Sequence, residues 1–261
     1  MSHSTEHNSR PEQSATLFIA ASETDSNLYY ATRFIAPDPF IYLEVKGERL
    51  MVMSDLEVDR ARNQATVDRV LSYSELERRA KSQGVKDPGT IDVIHLVLQD
   101  AGLKDILVPP TFPFLHASRL QEMGYRLRTK RDPFYEQRVM KSDDEVRHIE
   151  AAQRATETAV AAAHQHLRRA EIRDNVLWLD GEILTSERVK KLINVALMEC
   201  DCVAQHTIVA GGEQACDPHD EGSGPLPAHR SIIFDVFPRS AGTRYFADMS
   251  RTVVRGTPSP E

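Results

Sequence analysis

Nowhere in its 261 positions does the sequence hold a run of eighteen apolar residues, and a membrane-spanning helix needs about that many. A membrane partner is therefore not expected. A basic surplus is also missing: 32 Lys and Arg stand against 39 Asp and Glu, a formal charge of −7. Phosphate backbones are bound by clustered cations, and the only basic cluster, RLRTKR at 126–131, is short. No nucleic-acid partner is expected. Cysteine is scarce, with Cys200, Cys202 and Cys216 making an odd count that builds no disulfide framework and lacks zinc-ligand spacing. These read as reduced, buried structural thiols, which suits a cytoplasmic protein. The opening MSHSTEHNSRPEQS has neither the basic start nor the apolar stretch of a secretory signal, and residues 1–15 read as a polar leader without fixed structure. Internal repeats and low-complexity tracts are absent as well.

What is present is patterning. With 41% hydrophobic residues the chain can fill two cores. TLFIAA (16–21) reads as a strand, while FIYLEV (40–45) and RLMVMS (49–54) read as a hairpin turning at Gly47. LEVDRARNQ, YSELERRAKSQG and IDVIHLVLQDAG carry helical periodicity, the last closed by Gly102 and followed by the strand-like DILVPP. Strands interleaved with helices predict an α/β domain over 16–136. In the polar segment that follows, Ser142 and Glu145 form an S-x-x-E capping box opening a long helix with Val146, Ile149, Val160, Ala163 and Leu167 on its apolar stripe. A second helix starts at Thr185, with Glu187 at the positive end of its dipole and Val189, Leu192, Ile193, Ala196 and Leu197 on one face. HTIVAGG (206–212) reads as a strand, EQACDPHDEGSGPLPAHR as a polar loop, and 231–256 as a hairpin. Together they predict a second domain over 137–261. Ser259, Pro260 and Glu261 form a helix-start signature at the last residues, so the chain reads as part of a longer protein.

The hairpin SIIFDVFPRSAGTRYFADMSRTVVRG sets Asp235 and Asp248 inside apolar runs, where a carboxylate is unfavourable without a compensating partner. If Asp235 pairs with Asp248, the loop spans Ser240 to Thr243 with Gly242 at positive φ, and both carboxylates share one face. A divalent cation would relieve their repulsion. A structural network around two separately satisfied carboxylates is the other reading.

From about Lys141 onward, LTSERVKKLI, TIVAGGEQACDPHDEGSGPL, IIFDVFPR and YFADMSRTVVRG resemble the catalytic half of the pita-bread metallopeptidases, the family of methionine aminopeptidase, proline-specific aminopeptidase, prolidase and creatinase. The first 130 residues are similar, more loosely, to the small α/β domain preceding that half. The fold implied is α/β: a creatinase-like N-terminal domain, then the first half of a pita-bread α+β catalytic domain. The resemblance further implies Asp235 as the first metal ligand, Asp248 as the bridging ligand and His219 as the active-site histidine that contacts substrate and moves protons. His206, His229 and the other histidines read as structural. The cofactors implied are two divalent ions, Mn²⁺, Co²⁺ or Zn²⁺, and the partners a peptide substrate, of Xaa-Pro type, and a second copy in a homodimer.

Two departures follow. The aspartates stand thirteen positions apart where the family usually has eleven, which reads as a longer hairpin tip with the shared face kept. The family's remaining ligands, a histidine and two glutamates, lie downstream of these residues, so the 261-residue chain alone is expected to be inactive. Alternatives within the fold are a metal-free, creatinase-like hydrolase and a non-catalytic binding protein. A phosphate-binding loop at GGEQACDPHDEGSGP is excluded, because no Lys follows the glycines and Asp217, Asp220 and Glu221 repel phosphate.

Overall fold

The computed structural model describes residues 14–258. The leader up to Gln13 and the helix start expected at Ser259 lie outside the described residues. Ser14 and Ala15, assigned above to that leader, instead begin the first strand. Two compact units divide the chain, one ending at Met140 and the next beginning at Lys141.

In the first unit, β1 (Ser14–Ala20), β2 (Phe40–Val45), β3 (Glu48–Met53), β4 (Arg69–Ser72), β5 (Asp105–Val108) and β6 (Arg126–Thr129) form one mixed sheet. Their order is β4-β3-β2-β1-β5-β6. Helices α1 (Ser26–Thr32), α2 (Val58–Gln64), α3 (Tyr73–Ser82), α4 (Thr90–Ala101) and α5 (Phe114–Glu122) complete it. The central strands β1 and β2 send apolar residues to both sides of the sheet, because both faces are covered. Leu17 joins Leu43, Ile94 and Leu98 in one core, and Phe18 joins Tyr42, Met51 and Phe134 in the other. The β2–β3 turn uses Lys46 and Gly47 at φ 53° and 85°, the left-handed pair of a tight hairpin. RLRTKR is mostly β6, pairing with β5, and Arg126 there forms an ion pair with Asp105.

The second unit opens with α6 (Asp143–Arg169). Ser142 and Glu145 make the expected reciprocal capping box. Val146, placed above in the apolar stripe, is 41% exposed; the buried face is Ala152, Ala155, Ala159, Val160, Ala163 and Leu167. The stripe begins two turns into the helix, and its small residues let α6 lie close to the sheet. A meander of β7 (Glu171–Arg173), β8 (Val176–Leu179) and β9 (Glu182–Ile183) follows, then α7 (Ser186–Met198), capped by Thr185. After β10 (Cys202–Val203) come β11 (Ile208–Gly211), β12 (Ser231–Val236), β13 (Arg239–Ser240) and β14 (Met249–Val254). Antiparallel sheet β11-β12-β14 turns Ile232, Phe234 and Val236 into a core shared with Val160, Ala163, Val189 and Ile193. All three cysteines are free, but only Cys202 is buried. Cys200 follows the end of α7 and Cys216 ends a surface 3₁₀ turn, so the expectation of buried thiols fails for both. None of the described helices is long and apolar enough to cross a membrane.

Candidate functional site

Strand alternation decides where the aspartates point. Ile232, Phe234 and Val236 face the core, so Asp235 emerges on the opposite face of β12 and is half-buried. The register differs from the one expected. Asp235 stands opposite Ser250 and Val236 opposite Met249, and the same offset continues outward: Ala247 N–H donates to Pro238 O at 3.0 Å and Ser240 N–H to Tyr245 O at 2.9 Å. The loop is therefore Ala241 to Arg244, and the left-handed residue is Arg244 at φ 66°. Gly242 does not take the positive φ assigned to it, because the loop needs its left-handed residue at the last position.

Asp248 precedes β14 by one residue and is exposed. In this register it is the diagonal neighbour of Asp235, on the same side of the ribbon but not directly across. Diagonal residues lie about 7 Å apart, where two carboxylates in water repel by only about 0.6 kcal/mol. The premise that burial and direct opposition force a cation between them is thus corrected. Ser250 takes the position expected for Asp248 and donates its hydroxyl hydrogen to Asp235 Oδ1. Beside them on this face, Ile208 stands opposite Asp235 and Ala210 opposite Ile233.

His219 is exposed in the turn after the 3₁₀ segment Gly212–Cys216, and its N–H donates to Asp217 Oδ1 at 2.9 Å. The chain beyond it is anchored closely. Val209 N–H donates to Glu221 O and Ser186 N–H to Gly224 O. Lys190 Nζ donates to Gly222 O at 2.8 Å, and Gly224 N–H to Glu187 Oε1 at 2.9 Å. That last bond, with the Glu187 and Thr185 hydrogen bonds at the helix start, holds the Glu187 carboxyl below the usual carboxylate range. Gly222 sits at φ +77°, and a Cβ there would meet Val209 O at 1.9 Å. So the loop carrying His219 is fastened along β11 and the start of α7. His206 Nδ1 meets Glu221 Oε1 at 2.7 Å and His229 Nδ1 accepts the Thr257 N–H at 2.9 Å, both loop-fastening roles.

Ser250 and Lys190 were not singled out from the sequence as site residues, and Glu221 only as a charge that repels phosphate. Ser250 carried a usable signal, since it lies two residues past Asp248 and alternation puts both on one face. Lys190 and Glu221 act through main-chain approach of distant segments, which no local pattern encodes.

The profile of metallopeptidase family M24 matches residues 147–261. Over that stretch, which is most of the second unit, the sequence is similar to the M24 metallopeptidase family. Several solved peptidase structures share the fold of the chain. With the X-Pro aminopeptidase of Thermotoga maritima MSB8 the TM-score is 0.72 at 19% identity, covering 95% of this chain and 64% of that one. For the prolidase of Pyrococcus furiosus the score is 0.69 at 16% identity, again over 95% and 64%. For an Xaa-Pro dipeptidase from Bacillus anthracis it is 0.75 at 15%, over 95% and 62%. The chain thus spans a little under two thirds of the length of these structures. No curated protein sequence matches significantly.

Asp235, Asp248 and His219 all lie inside the M24 segment. Among the described residues no group of three or more His, Cys, Asp or Glu side chains is arranged to hold a metal ion. Two same-face carboxylates, one accepting the Ser250 hydroxyl hydrogen, have the oxygen-donor chemistry that hard or borderline divalent ions take.

Proposed function

We propose that the complete protein is a divalent-metal-dependent peptidase that cleaves next to the N-terminus of peptides or dipeptides, of Xaa-Pro type. The observation supporting this most is the coincidence of the M24 match with two carboxylates on one face of β12–β14. Asp235 and Asp248 would hold two ions, Mn²⁺, Co²⁺ or Zn²⁺, with donors from outside the described residues completing the site. Bound ions supply Lewis acidity toward a peptide carbonyl and toward water.

The chain's own residues divide the remaining work. Ser250, by donating to Asp235 Oδ1, fixes that carboxylate's rotation and leaves its second oxygen for a ligand bond. Ile208 and Ile233 beside Asp235 give the reacting carbonyl an apolar border, where electrostatic contacts strengthen as water is excluded. His219, on a loop fastened at Glu221, Gly222 and Gly224, would donate to the oxygen of the tetrahedral intermediate or pass a proton to the leaving nitrogen. The same reading carries a cytoplasmic homodimer, and implies that residues 1–261 alone lack activity.

Metal analysis and Xaa-Pro dipeptide hydrolysis by the protein expressed from its complete gene test this. Near-stoichiometric divalent metal, lost together with activity in Asp248→Asn, is the expected result. His219→Ala should keep the metal and lower kcat by about 10²- to 10⁴-fold. Absence of bound metal in the active parent would overturn the reading in favour of a metal-free hydrolase, and absence of both metal and activity in favour of a binding protein.

A further inference from the structure

Glu145 is a charged residue only 5% exposed, and its two carboxylate oxygens serve two different elements. Oε2 accepts the Ser142 N–H at 2.9 Å, completing the α6 cap. Oε1 accepts the Tyr245 hydroxyl hydrogen at 2.6 Å. Tyr245 is the residue on which the β12–β14 loop closes, through Ser240 N–H to Tyr245 O. One turn along α6, the His148 ring lies 5.4 Å from the Tyr245 ring, inclined by 42°. The hairpin tip is therefore clasped to the start of α6 by a charge-assisted hydrogen bond and a ring contact.

This clasp sits where the ribbon is least regular. The β12–β14 ladder ends at Val236–Met249. Beyond it the arm carrying Asp248 is tied to its neighbour by the Ala247–Pro238 bond, the Arg239–Phe246 bridge and the Ser240–Tyr245 closure. Asp248 thus lies between two fixed points, β14 on one side and Tyr245 three residues away on the other.

We propose that Glu145 and Tyr245 are positioning residues for Asp248, holding the 245–248 arm so that its carboxylate stays diagonal to Asp235 on the shared face. The proposal rests on the reading of Asp248 as a metal ligand. A capping glutamate would satisfy α6 without any tyrosine, so the second oxygen's bond is a feature of the hairpin rather than of the helix. A hydrogen bond to a charged acceptor is stronger than a neutral one, enough to change the opening of a short arm by about tenfold or more.

The test compares the full chain with Tyr245→Phe, which removes the hydroxyl and keeps the ring on His148, and with Ser142→Ala, which weakens the same helix start without touching Tyr245. Amide exchange is read at Arg244 and Ala247, whose N–H groups bond to Ser240 O and Pro238 O, and Mn²⁺ affinity is read by electron paramagnetic resonance on the complete-gene protein. Tyr245→Phe should accelerate exchange at those two amides about tenfold and weaken Mn²⁺ binding severalfold. Ser142→Ala should lower thermal stability while leaving both readouts at parent values. Unchanged exchange in Tyr245→Phe would show that there is no clasp. Faster exchange with unchanged Mn²⁺ affinity overturns the positioning role but leaves the metal reading standing. A parent that binds no Mn²⁺, Co²⁺ or Zn²⁺ sinks the metal reading and the positioning role with it, whatever exchange shows.

Discussion

His164 shows how one side chain links packing to pH. It projects from α6 with its ring edge-on to Phe234, centroids 5.5 Å apart, and its Nε2 is buried without a hydrogen-bond partner. Burial first, then the Arg168 and Arg251 guanidinium charges, push its pKa below the ordinary 6.5. The folded chain therefore resists a proton that the unfolded chain accepts. Stability linked to this group is fully present above about pH 6.5 and falls as pH drops through and below that value. His164→Phe should flatten the fall between pH 7 and 5, measured by urea unfolding across that range, and an unchanged slope would refute the assignment. Gly222 is a second residue with a definite expectation. Its φ of +77° and the 1.9 Å approach of Val209 O to any Cβ predict that Gly222→Ala destabilises by about 2 kcal/mol or more. The glycines around it could be read from sequence as turn-formers, but the close backbone approach depends on β11, a segment thirteen residues away.

Elements were legible where their signal is local and long. The α6 capping box, the Gly102 stop of α4 and the Lys46–Gly47 turn each lie within a few residues of the chemistry that forms them. Helix α1 and strands β4 and β6 were not legible: α2 and β5 are as short, but β4 and β6 are edge strands with mostly unburied residues and show no apolar run, and α1 has no charged face to mark its period. The site hairpin was legible in kind and misread in register. Parity fixed the shared face of Asp235 and Asp248, since alternation has period two, but the choice between one register and another two residues away rests on the loop. Arg244 taking the left-handed position rather than Gly242 moved Ser250 opposite Asp235. At this scale the clearest energetic expectation concerns α6. Ser142 accepts the Glu145 N–H, and losing an N-cap side chain costs about 1 kcal/mol, so Ser142→Ala should lower unfolding free energy by that amount in denaturant titration. Ala159→Leu, at a fully buried position of the same helix, should cost about 1–3 kcal/mol by overpacking the face against the sheet.

Across the whole molecule, the two units differ in how much of what independent folding needs they carry. The first has a complete sheet with two cores: Leu17, Leu43, Ile94 and Leu98 on one face, Phe18, Tyr42, Met51 and Phe134 on the other. Its sheet strands all come from residues before Met140, so no strand is borrowed from the second unit. At about 130 residues such a domain buries enough apolar surface to be stable alone. Residues 1–140 expressed separately should therefore unfold in one cooperative transition, with urea, fluorescence and far-ultraviolet dichroism giving coincident midpoints. The second unit differs in kind. Its helices cover one face of β11-β12-β14, whereas the face bearing Asp235, Asp248 and Ser250 keeps Asp248 and Ser250 exposed and Phe246 59% exposed. A sheet with one face partly open is less stable per residue than one buried on both sides. Residues 141–261 alone should accordingly melt below residues 1–140, and bind a hydrophobic dye more strongly when native. The reverse order of melting would mean that α6, α7 and the inward side of the ribbon hold the candidate site without any cover on its open face.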